Sequence, residues 1–163
     1  TNYFGQFTPD EITPNTLFFR MNGGFYGRDT GTLCHPRFSV DPSQRAFCGQ
    51  SVTIINLQLA YWFGYQRVVL IGMDFSYTVP DDAEVNGNLI VSRSDDPNHF
   101  RPDYFGAGKT WKDPQLDRVL ANYRLAGEIY AAAGREIVNS TVGGKLEVFP
   151  RMPLAEALRT PGH

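Results

Sequence analysis

A histidine titrating near neutral pH is the side chain best suited to take a proton from a reacting hydroxyl. The chain carries His35, His99 and His163, and only His99 lies within the long polar and aromatic stretch 74–113. Asp96, Arg101 and Tyr104 stand close to it in sequence, which makes His99 the candidate general base; the same neighbours would suit a surface histidine that only hydrogen-bonds. Asp74 directly follows the apolar run at 68–73. Ligands of open α/β sheets gather beyond such strand ends. Asp74 is therefore the second catalytic candidate, with a carboxylate that merely caps loop amides as its plainer alternative.

A third chemical signal is Asn139-Ser140-Thr141-Val142-Gly143-Gly144-Lys145, which follows a predicted strand. Hydroxyls, an amide and two glycines would let backbone N–H groups approach an anion, and Lys145 would neutralise it. Asn139, Ser140, Thr141, Gly143 and Lys145 are thus candidate nucleotide contacts, set against a simple glycine turn. Tyr77 and Tyr104 offer phenolic donors to a phosphate, or rings that only pack. Asn22, ahead of Gly23-Gly24, and Ser51, ahead of a predicted helix, complete the nucleotide-contacting set.

Other motifs fail on spacing. Gly106-Ala107-Gly108-Lys109-Thr110 has Asp103 where a phosphate-binding loop needs its first glycine, and no buried strand precedes it. No spacing of His, Cys and Asp resembles a zinc site, so no metal ligands are assigned. Asp81-Asp82 and Asp95-Asp96 read as solvated turns.

The elements that must position these residues alternate. Thr16-Leu17-Phe18-Phe19-Arg20-Met21 reads as a strand broken by Asn22-Gly23-Gly24, and a short strand is expected over 37–40. Ser51 caps a helix over 52–63, with Val52, Ile55, Leu59 and Trp62 on one apolar stripe and Ile54, Leu57 and Tyr61 on a second. A helix apolar on two sides is expected to be covered on both. The unbroken run at 68–73 predicts a strand buried on both faces, a mark of parallel sheets. Residues 74–113 read as an irregular excursion with a small strand at 88–92. Asp113 as N-cap and Pro114 at the first helical position start a helix whose core face is Leu116, Val119, Leu120, Tyr123, Ala126 and Tyr130. Asp117, Arg118, Asn122, Arg124 and Glu128 face water. Gly134 ends this helix, a strand follows at 135–139, and a short helix at 153–158. Successive β-α-β units of this kind predict a Rossmann-like α/β fold: a three-layer parallel sheet with helices on both faces, formed by residues 1–163 as one domain.

Composition bounds the partners. The 163 residues suit one domain of ordinary size, and 42% hydrophobic residues exclude a disordered chain. Fifteen basic against seventeen acidic residues, interspersed, leave no basic stripe for nucleic acid but permit a phosphate pocket. No apolar run approaches a membrane span, and the N-terminal residues lack a signal-peptide pattern. Cys34 and Cys48 read as reduced thiols, hence a cytoplasmic setting. The oligomeric state is open. A chain that starts at Thr1 rather than Met is expected to be a processed or cut piece.

Several segments in series carry a family likeness: Gly49-Gln50-Ser51-Val52-Thr53; Val69-Leu70-Ile71-Gly72-Met73-Asp74-Phe75-Ser76-Tyr77; Asp96-Pro97-Asn98-His99-Phe100-Arg101-Pro102-Asp103-Tyr104-Phe105-Gly106; Trp111-Lys112-Asp113-Pro114; and 139–151. Across about 45–155 they resemble bacterial and archaeal domains grouped with motility-associated factors of flagellin glycosylation and archaeal 6-hydroxymethylpterin diphosphokinase. They are more distantly similar to bacterial lipooligosaccharide sialyltransferases. The resemblance implies a domain that handles a nucleotide-activated sugar, with Gly72-Met73-Asp74-Phe75 matching a strand-end pattern and His99-Phe100 resembling a His-Tyr step that supplies the base. The diphosphokinase alternative would transfer pyrophosphate and require magnesium, for which Asp74 with Asp95 or Asp96 is the one offer; a non-catalytic ligand-binding module is the third. The glycine-rich first loop of these families has no counterpart here, which implies that the chain is the latter part of a larger fold.

Overall fold

The computed structural model describes residues 13–16, 18–22 and 36–159. In chain order these form β1 (Met21–Asn22), β2 (Ala46–Phe47), α1 (Val52–Trp62), β3 (Arg67–Leu70), β4 (Glu84–Asn86), β5 (Leu89–Val91), β6 (Thr110–Lys112), α2 (Leu116–Ala132), β7 (Glu136–Asn139) and α3 (Leu154–Ala157). The strands fall into three small sheets: parallel β1–β2, parallel β3–β7, and antiparallel β4–β5–β6. The expected Rossmann-like three-layer sheet is therefore not the architecture. One β-α-β unit is present, β3 to α2 to β7, with Arg67 opposite Glu136 and Leu70 opposite Asn139. A single bridge from Asn139 to Arg151 extends that pair.

Strand length explains the difference. The apolar run at 68–73 stays extended only to Leu70; Gly72 turns left-handed (φ 65°) and Ile71 is 63% exposed. Val68 and Leu70 meet the core on one face of the pair, while Val69 on the other face is only partly buried. Of the strand expected over 16–21, the described residues form only β1, Leu17 lying outside them, and none forms over 37–40, where the Gln58 side chain accepts the Ser39 N–H at 2.9 Å. Conversely, the excursion over 74–113 is more ordered than its composition suggests. β4 and β5 are joined through Gly87-Asn88, with Gly87 at φ 63°, the left-handed glycine that two-residue hairpin turns require.

α1 starts where Ser51 predicts: its Oγ accepts the Thr53 N–H at 3.2 Å. Its buried residues are Ile54, Leu57 and Gln58, whereas Val52 and Trp62 of the expected first stripe are exposed. Gln58 is admitted because all its polar capacity is used. Its Oε1 accepts from Ser39 and Phe47 N–H, and its Nε2 donates to the Phe47 and Ile54 carbonyls. α2 begins later than expected. Gln115, left-handed at φ 51°, is the cap residue, and Asp113 accepts the Gln115 N–H at 2.9 Å instead of capping the helix itself. Asn122, expected to face water, is buried and donates to the Arg118 carbonyl.

α1 and α2 cover the β3–β7 pair. Ile54, Leu57, Leu70, Val119, Tyr123, Ala126, Tyr130, Ile137, Leu146 and Phe149 form one buried cluster. Each fully buried aliphatic or aromatic side chain contributes about 1.5–3 kcal/mol. Tyr130 fits this core because its hydroxyl donates to the Leu57 carbonyl at 2.7 Å. Among the described residues no helix is long and apolar enough to cross a membrane.

Candidate functional site

The segment between β5 and β6 carries Asp96 and His99. Asp96 is not a solvated turn: its side chain is 2% exposed. Oδ1 accepts the Asn98 N–H at 2.8 Å, and Oδ2 accepts the Phe105 N–H at 3.0 Å and lies 2.7 Å from His99 Nδ1. Burial opposes ionisation of this carboxyl, but the hydrogen bonds from Asn98, His99 and Phe105 outweigh it and hold Asp96 below the usual carboxylate range. An ionised Asp96 places the imidazole proton on Nδ1 and leaves Nε2 as the acceptor. Nε2 makes no hydrogen bond among the described residues.

Aromatic rings enclose the imidazole. Tyr104 lies 4.4 Å from it, Phe105 5.4 Å and Tyr77 5.9 Å, centroid to centroid. Burial, reinforced by the Asp96 charge and by Tyr104, pushes the Tyr77 hydroxyl up to about 12, so Tyr77 stays a neutral donor across the physiological range. Asn98 pins the loop to the chain after β3: its side chain accepts the Thr78 N–H and donates to the Thr78 carbonyl.

His99 opens on a cleft of about 280 Å³ whose walls include Gln50, Ser51, Asp74 and Tyr77. Four predicted site residues from three distant segments, Ser51, Asp74, Tyr77 and His99, thus share one cavity. Ser51 brings the N-terminus of α1 there, and its Oγ lies 3.2 Å from the Tyr123 hydroxyl. Tyr104 contacts the imidazole but is half exposed and lies outside the cleft lining.

The loop at 139–145 stands behind Asp74 and does not line the cleft. Asn139 holds the loop's own backbone, donating to the Leu146 carbonyl and accepting the Thr141 N–H. Thr141 Oγ1 accepts the Met73 N–H at 2.9 Å, and Lys145 donates its backbone N–H to the Asp74 carbonyl at 2.6 Å while its side chain is exposed. The Ser140 Oγ is buried without a partner among the described residues. Gly143 and Gly144 are left-handed, and a Cβ on Gly144 would stand 2.8 Å from the Asp74 backbone. These residues position Asp74 from behind. Asn22, on β1, accepts the Cys48 N–H through its carbonyl at 3.1 Å, while Gly23 and Gly24 lie outside the described residues. Cys48 is a free thiol; Cys34, His35 and His163 also lie outside.

Three contributors carry no sequence signal of their own. Gln50 lines the cleft in a left-handed conformation (φ 67°), with a buried Oε1 that has no partner among the described residues. Phe75 is also left-handed, at φ 49°. Arg151 clamps the loop behind Asp74, donating to the carbonyls of Thr141, Gly143 and Gly144 while pairing with Glu147.

The residues do not fit the magnesium that pyrophosphoryl transfer would need. Asp96 is committed to His99 and two amides, and among the described residues no group of three His, Cys, Asp or Glu is arranged to hold a metal ion. No protein-family model, curated protein or solved structure matches the chain.

Proposed function

We propose that this chain is a glycosyltransferase-like domain that transfers a sugar from a nucleotide-activated donor to a hydroxyl, with His99 as general base. The observation that supports it best is the buried Asp96 carboxylate 2.7 Å from His99 Nδ1, on an imidazole that lines the same cleft as Ser51, Asp74 and Tyr77. An acid that orients a histidine lining a cavity, with the other ring nitrogen unbonded, suits general-base chemistry.

The acceptor oxygen forms a bond to the anomeric carbon as the bond from that carbon to the phosphate oxygen breaks. The hydroxyl proton passes to His99 Nε2, and the electron pair of the broken bond leaves with the nucleotide phosphate. The neutral Tyr77 hydroxyl and the positive end of the α1 dipole at Ser51 favour the charge that develops there. Asp74, fixed by the loop behind it, orients donor hydroxyls.

Calorimetry with cytidine monophosphate and with ATP, each with and without magnesium, tests this reading. Metal-independent binding of the cytidine nucleotide, with transfer abolished in His99→Ala, is the expected result. Magnesium-dependent ATP binding alone, or full transfer by His99→Ala, would overturn it.

A further inference from the structure

Beyond the Tyr77 ring lies a second cavity, of about 300 Å³. Tyr77, Pro114 and Leu116 line both cavities, so the two share a wall. The second adds Val79, Asp113, Gln115 and Asp117. Two carboxylates and an amide beside an aromatic ring suit a ligand that presents several hydroxyls and one apolar face. Carboxylates accept from the hydroxyls, and the ring packs on the C–H face.

The charge of this cavity is one-sided. Asp113 Oδ1 accepts the Gln115 N–H, leaving Oδ2 for a ligand, and Asp117 is exposed in the first turn of α2. Among the described residues neither carboxylate is in an ion pair and no lysine or arginine lines the cavity. An anionic ligand would meet like charges at short range, where repulsion is least screened.

We infer that this cavity is the acceptor subsite for an uncharged pyranoside, with Asp113 and Asp117 discriminating against anionic acceptors. The inference rests on the reading of His99 as the base, whose ring stands 5.9 Å from the shared Tyr77 wall. It assigns the nucleotide to the His99–Ser51–Asp74 cleft and the body of the acceptor ring to the Asp113–Asp117 side, with the attacking hydroxyl reaching past Tyr77 to His99.

Methyl β-D-glucopyranoside and methyl β-D-glucuronide differ only in a hydroxymethyl against a carboxylate, and backbone amide NMR of the full chain reports where each binds. The glucoside is expected to shift the amides of Val79, Gln115 and Asp117, and the glucuronide to bind about tenfold more weakly, consistent with like-charge repulsion at a partly exposed site. The Asp113→Asn/Asp117→Asn double variant, which keeps an acceptor oxygen for the Gln115 N–H, should bring the two affinities within about threefold while leaving the glucoside shifts in place. Cytidine monophosphate, titrated separately, should shift Ser51 and Asp74 instead. If the nucleotide shifts nothing while the glucoside pattern holds, the nucleotide reading falls and the cavity remains a pyranoside site. If the nucleotide binds but the glucoside shifts no amide of this cavity, or the two glycosides bind the wild-type chain equally, the acceptor assignment falls alone.

Discussion

Replacing Asp96 by alanine separates its two duties. The carboxylate satisfies the Asn98 and Phe105 N–H groups and holds His99, all from a side chain that is 2% exposed. Asp96→Ala leaves both amides without that acceptor, at about 1–3 kcal/mol for each buried unsatisfied donor. A loss of about 2–4 kcal/mol follows if water enters the vacated space in part. For a chain of this size that lowers Tm by about 5–15 °C. His99→Ala keeps both amide bonds and forfeits one partly exposed interaction, so it should cost about 1 kcal/mol. Both variants should lose activity alike, by about 100- to 10,000-fold in kcat, and the double variant should be no slower than the worse single one, because the two residues act as a unit. The pH dependence has a fixed sign. A carboxyl held below its unfolded value contributes stability above that value, about 3.9, and loses it as pH falls through the folded one. Wild-type protein should therefore lose stability more steeply below about pH 4 than Asp96→Ala. Thermal melts and transfer assays with a cytidine-monophosphate sugar measure all of this. Equal destabilisation by the two substitutions, or a wild-type rate from Asp96→Ala, would refute the reasoning.

Three further substitutions probe the supports. Gly144→Ala places a Cβ 2.8 Å from the Asp74 backbone at a left-handed position (φ 74°), so it should cost about 1–3 kcal/mol and weaken nucleotide binding; an unchanged Tm and Kd would dissociate the loop from Asp74. Gln58→Leu strands the N–H groups of Ser39 and Phe47 and the Phe47 carbonyl, and should destabilise by about 3–5 kcal/mol in urea unfolding. In a spectrophotometric titration, the Tyr77→Phe difference should show a phenol ionising near 12; ionisation near 10 would mean that the ring is not enclosed.

The helices are more legible in the sequence than the sheets, for physical reasons. The Ser51 cap, the start of α1 and the glycine after α2 are local signals. Each rests on one or two residues whose preferences survive tertiary context. The face of α1 is not legible, because three of the four hydrogen bonds that bury Gln58 go to Ser39 and Phe47, outside the helix, and no periodicity announces them. A run of apolar residues does not measure strand length either: Gly72 ends β3 early, and what reads as a doubly buried strand becomes half of a two-stranded pair. Of the antiparallel sheet only the small strand at 88–92 is legible; its partners β4 and β6, and the Gly87-Asn88 turn that joins β4 to β5, lie in a stretch that reads as irregular. Of the site, the convergence of Ser51, Asp74, Tyr77 and His99 follows from placing loops after strands and before helices. Asp96 as the orienting acid follows only from its burial. The phosphate cradle expected at 139–145 is a strut instead, since Asn139 and Thr141 bond backbone rather than face the cleft.

Nitrogen-15 NMR of the His99 imidazole above its titration range tests the dyad most directly. The account predicts a neutral ring protonated on Nδ1, bonded to Asp96, with a bare Nε2, and loss of that preference in Asp96→Ala. A ring protonated on Nε2, or an even mixture of tautomers in the wild-type protein, would contradict it.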